Sequence, residues 1–127
     1  MKILPLAISA FVLASGCATI NKTSDHHGIR IENSEQPLET VEIENTGWQL
    51  LRCIPLGSGD PMRPNERTCR LFRDTVTLQN NLDMLDGEMK RCNAKRVVNL
   101  TSHKTSENMF LILLTRRAYH TSAVLLK

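Results

Sequence analysis

The sequence lacks a large excess of charge of either sign: 16 lysines and arginines stand against 13 acids in 127 residues, a formal +3. Nucleic-acid modules concentrate far more basic charge on one face, so no nucleic-acid partner is expected. It also lacks a run of ~20 apolar residues, the length a helix needs to cross a bilayer. There is no Cys-x-x-Cys pair, no Gly-x-Ser-x-Gly elbow, no His-Glu-x-x-His and no Walker loop. Those absences leave thioredoxin-like redox chemistry, zinc knuckles, serine hydrolysis and nucleotide cleavage without support, and no cofactor is expected. What is present is 41% apolar residues, well above a disordered chain. The length suits one domain with one core.

The chain opens like an address. Lys2 supplies a positive charge, Ile3 to Leu13 is apolar except for Pro5 and Ser9, and the small residues Ala14, Ser15 and Gly16 follow. This is the layout of a signal peptide over 1–16. The segment Leu13-Ala14-Ser15-Gly16-Cys17 resembles the lipobox of bacterial lipoproteins, with Ala14 where that family more often has leucine. The resemblance implies that Cys17 is acylated, that cleavage occurs at its amino side, and that the mature chain is held to a membrane without spanning it. Two or three acyl chains anchor almost permanently because each buried methylene contributes about 0.8 kcal/mol. Ala18 follows, where an aspartate would favour retention in the inner membrane, so the resemblance points to the outer membrane, and the domain is expected to face the periplasm.

Residues Ala18 to Gly28 are mostly small or polar and suggest that 17–28 is a lipidated cysteine with a flexible tether, leaving 29–127 as the globular domain. Ile29 to Ser34 and Val41 to Thr46 alternate as short strands, and Trp48, Leu50, Ile54 and Leu56 continue the period of two. Gly57 to Arg67, with its glycines and prolines, reads as a surface loop. Thr77 stands at an N-cap position before Leu78, Leu82, Leu85, Met89 and Cys92, an apolar stripe at helical spacing, and Asn93 suits a left-handed terminator. Val97, Val98 and Leu100 predict a strand, Thr101 to Asn108 a polar turn, and Met109 to Leu114 a strand covered on both faces, before alternation resumes from Tyr119. The expected fold is α+β: a small, mainly antiparallel sheet with one amphipathic helix packed on one face. The order of elements resembles small envelope lipoproteins of unknown function.

Three cysteines remain once Cys17 is assigned to lipid. In an oxidising compartment the expected disulfide joins Cys53 to Cys69, closing the Gly/Pro-rich loop, with Cys69 to Cys92 as the rival pairing. His26 and His27 are weak candidates for a metal, since neighbouring side chains usually diverge and further ligands would be needed. The basic residues at Lys90, Arg91, Lys95 and Arg96, and again at Arg116 and Arg117, suit helix-end stabilisation and a solvated sheet edge, or contact with an acidic partner. The expected function is that of a non-enzymatic outer-membrane lipoprotein, anchored in the membrane through Cys17 and binding an envelope protein or an anionic glycolipid. The alternatives are a small enzyme using Cys92 with His103 or His120, and a carrier of metal or small ligand.

Overall fold

The computed structural model describes residues 16–24, 36–109 and 113–127. Within them the order is β1 (Ala18–Thr23), β2 (Pro37–Leu50), β3 (Ile54–Gly59), β4 (Cys69–Leu71), α1 (Leu78–Cys92), β5 (Arg96–Met109) and β6 (Leu114–Leu126). The strands form one antiparallel sheet in the order β4-β3-β2-β6-β5, with β1 also paired to β2. The helix packs on one face, which is the α+β architecture expected.

Strand β2 is the axis. One edge pairs with β6 from Pro37↔Leu126 to Leu50↔Leu114. The other edge is divided: β1 takes Thr40 to Asn45, and β3 takes Gly47 to Leu50. The end of β3 therefore meets the start of β1 head to tail, and Gly59 makes the joint possible, since a Cβ there would collide with the backbone of Cys17 and Ala18. Gly47 serves a second close approach, where an added Cβ would lie 2.7 Å from Val76 Cγ2.

Helix α1 begins and ends where its caps dictate. Thr77 Oγ1 accepts the Asn80 N–H at 3.2 Å, and Asn93 terminates the helix at φ 56°, ψ 38°. The contact face is rotated from the predicted stripe: Asn81, Met84 and Leu85 are buried, Met89 and Cys92 are partly buried against the core, and Leu78 is 40% exposed. The reason is a polar anchor that periodicity of apolar residues cannot reveal. Asn81 Nδ2 reaches Tyr119 O and Thr121 Oγ1, both at 3.1 Å, and turns the helix toward β6. Below it, Ala18, Ile20, Val41, Ile43, Met84, Leu85, Ala123 and Leu125 close the core.

Several expected elements are revised. Ala18 to Thr23, expected within the tether, is strand β1, with Ala18 and Ile20 buried under the helix, so this segment is part of the folded domain and not of a tether. Gly57 to Gly59 belong to β3, and Thr101 to Asn108 extend β5 instead of turning. Strand β5 lies at the sheet edge with both of its faces largely in solvent, so no alternation marks it. Met109 ends β5 and Leu114 opens β6, and the two are paired, so the apolar run joins two strands rather than forming one. The predicted strand over 29–34 lies outside the described residues.

Glu88 ties β1 to the helix, with Lys22 Nζ and Arg91 Nε each 2.7 Å from Oε2. Burial opposes ionisation of this carboxyl, but the Lys22 and Arg91 hydrogen bonds outweigh it and hold the group below its ordinary 4.5. A carboxyl depressed by folding adds stability above its unfolded value and loses it as pH falls through the folded one. Glu88→Gln should therefore cost about 1 kcal/mol at pH 7, and the gap from the parent should close in denaturant melts run progressively below pH ~4.5. The packing gives a second expectation. Leu85→Ala should destabilise by about 2–5 kcal/mol through lost burial and a cavity. At Gly87, by contrast, an added Cβ would meet nothing within 4 Å. Gly87→Ala should then be neutral or stabilising by up to ~1 kcal/mol in the same melts.

Candidate functional site

Among the described residues the helix covers one face of the sheet and no helix lies on the other, and strand register decides which side chains lie on each. Directly paired residues share a face, and neighbours along a strand alternate. Ala18 and Asn45 are paired on the helix side. Cys17 and Thr46, one position further, therefore lie on the helix-free side. Their backbones are joined: the Thr46 N–H donates to Cys17 O at 2.7 Å, and the Cys17 N–H donates to Thr46 Oγ1 at 2.8 Å. Cys17 is exposed. Asn65 seals the outer edge of β1 beside it, donating from its backbone N–H to Ala18 O at 2.9 Å. The Asn65 side chain accepts the Ile20 N–H at 2.9 Å and donates to Ile20 O at 3.1 Å, imitating a strand partner.

Further along the same face, His103 and His120 are cross-strand partners with ring centroids 4.8 Å apart and planes inclined by 14°. They border a shallow groove of about 210 Å³ with Asn21, Glu42, Glu44 and Thr101. Arg116 Nη2 stands 3.7 Å from Glu44 Oε1, and Glu42 has no ion pair among the described residues. The groove can hold a small polar group by hydrogen bonding. Among the described residues no three of histidine, cysteine, aspartate and glutamate lie close enough to hold a metal ion together. His26 and His27 lie outside the described residues.

The predicted cysteine pairing is overturned: Cys17, Cys53, Cys69 and Cys92 are all free thiols. Cys53 precedes β3, whereas Cys69 lies opposite Gly59 at the other end of that strand. Five residues of strand separate those ends by about 16 Å, far beyond the ~7 Å limit on Cα separation in a disulfide. The rival partner Cys92 lies on the helix, where its thiol donates to Glu88 O at 3.0 Å. The sheet stands between Cys92 and the histidine pair, so the thiol and imidazoles do not assemble into one site.

The basic residues are largely engaged within the fold. Lys90 pairs with Asp86, Arg91 with Glu88 and Glu39, and Arg117 with Asp74 at 2.6 Å. In the glycine-rich loop, burial disfavours the charged form of Asp60, but Arg70 and the Met62 N–H outweigh it and hold the carboxyl below its ordinary value. The loop is held together by this internal pairing and does not open a helix, as a phosphate cradle would.

The histidine pair could have been anticipated from hairpin register. His103 and His120 each stand six residues from the paired ends Met109 and Leu114. The roles of Thr46 and Asn65 left no signal, because a threonine and a loop asparagine carry no periodicity. Compared with protein-family models, curated proteins and solved structures, the chain matches none of them.

Alkylation of the native protein without reductant should modify both Cys53 and Cys69, with Cys92 slower because it is half-buried and hydrogen-bonded. Peptide mass mapping reads this, and a Cys53–Cys69 peptide cross-link would contradict the geometry.

Proposed function

We propose that this chain is a lipoprotein of the outer membrane, anchored through Cys17, whose periplasm-facing domain binds another envelope component without catalysing a reaction. The observation that carries this reading is the segment Leu13-Ala14-Ser15-Gly16-Cys17, whose cysteine immediately precedes strand β1. The surroundings of Cys17 are compatible with that chemistry. Its side chain is exposed, and its backbone nitrogen donates to Thr46 Oγ1, a bond that an amine or an amide formed there could keep. Because β1 starts at Ala18, the domain would sit directly against the leaflet with no spacer between lipid and sheet.

A binding role is supported by the helix-free face, where Glu42, Glu44, His103 and His120 offer hydrogen-bonding groups around a shallow groove. With most clustered cations already paired in the fold, an envelope protein suits this face better than an acidic glycolipid. Intact-mass analysis of the protein expressed in a bacterial host tests the anchor. The wild-type chain should begin at Cys17 and carry acyl mass, whereas Cys17→Ser should lose the lipid and keep its leader. Normal cleavage with no added lipid in the wild type would refute the assignment.

A further inference from the structure

The helix-free face changes character along β2. At the level of Thr46 lies Cys17; two residues on, Trp48 pairs with Arg116 of β6; two further, Leu50 pairs with Ile54 of β3 and with Leu114 of β6, which in turn pairs with Met109 of β5. Ile54, Leu50, Leu114 and Met109 thus form one cross-strand row of four aliphatic side chains, and among the described residues no helix lies over it. Ile54 and Met109 are 46% and 44% exposed, and Leu50 and Leu114 are half-buried. The adjoining connections add Leu51 and Leu113, exposed by 52% and 56% and joined by the Leu51 N–H donating to Leu113 O at 2.8 Å.

Two features set this row apart from scattered surface apolar residues. Strand connections normally carry glycine, asparagine or aspartate. Here the β2–β3 connection places Leu51 at φ 51° and Arg52 at φ 63°, a left-handed conformation that disfavours side chains with a Cβ. The chain accepts strain and still presents leucine to solvent. The second feature is distance: Leu50 is four residues of β2 from Thr46, or about 13 Å, on the same face as Cys17.

We infer that the row Ile54–Leu50–Leu114–Met109 rests on the lipid bilayer as a second membrane contact. The choice of the bilayer as occupant depends on the proposed anchor. An acylated Cys17 with no spacer brings the leaflet to this face, and an aliphatic row about 13 Å away then meets the boundary between headgroups and acyl chains. The contact fixes the domain's orientation. The apolar end of the face is turned to lipid, and the histidine end, on the far side of Cys17, is turned toward the periplasm, where a partner can reach it.

Trp48, the sole tryptophan, lies in the neighbouring row and reports on this contact. The test uses full chains carrying Cys17→Ser, which cannot be acylated, mixed with phosphatidylethanolamine–phosphatidylglycerol vesicles bearing brominated acyl chains. Bromine quenches a tryptophan that approaches the chains. Trp48 should be quenched, and adding Ile54→Asp and Met109→Asp should weaken the apparent partition at Trp48 about tenfold, since both chains share the same leader and differ only in the row. Unchanged thermal melting checks that the substituted chain is folded. Quenching absent from the first chain, or equal in both, would overturn the inference. So would sedimentation showing a dimer that the two aspartates dissociate, because the row would then be covered by a second copy. Failure of the anchor is read separately in the wild-type mass, so lipid-free Cys17 with row-dependent quenching would refute the anchor and leave the membrane contact standing.

Discussion

Strand β2 is hydrogen-bonded along both edges, and the division of one edge between β1 and β3 sets the terms for everything else. Two strands can share an edge only if their ends meet without collision, which requires the bare backbone of Gly59 beside Cys17 and Ala18. Beside that joint Ser58 and Thr75 form a hydroxyl network. Ser58 Oγ donates to Arg73 O at 2.7 Å, and Thr75 Oγ1 lies 2.6 Å from Gly59 O and 2.7 Å from Ser58 Oγ. Buried hydroxyls left unpaired here would each cost about 1–3 kcal/mol, so the network holds the crossing segment in one place.

From that joint the two faces of the sheet diverge. On one, β1 contributes Ala18 and Ile20 to the core, and Lys22 reaches Glu88 on the helix. On the other, the residue that leads into the same strand places Cys17 in the open beside Thr46. One short segment thus contributes to the core and positions Cys17 on the opposite face. The rotation of α1 toward Asn81 follows from the same constraint, because the helix must cover β1, β2 and β6 together.

The helix was legible because its caps act locally: Thr77 and Asn93 bond within a turn of their own positions. The buried strands were legible where one face is apolar, as from Val41 to Asn45 and from Thr121 to Leu125. Strand β5 escaped because an edge strand exposed on both faces has no alternation to read. The Met109 to Leu114 run suggested a covered strand and is instead a junction of two, since hydrophobicity reports a preference for leaving water and not the means by which it is met. The cysteines misled for a related reason. Compartment chemistry argues that thiols pair, but pairing needs proximity, and the length of β3 holds Cys53 and Cys69 at opposite ends.

By itself, the sequence determined what depends on neighbours along the chain: the capped helix, the period-two core strands and, from these, the α+β class. Tertiary structure alone decided what depends on register. It drew Ala18 to Thr23 into the sheet, separated Cys53 from Cys69, stacked His103 on His120, and aligned Cys17 on the same face as the aliphatic row. The physical reason is that a strand's hydrogen bonds are made to another segment, so its position and the company of its side chains are set by a partner that local propensity does not encode.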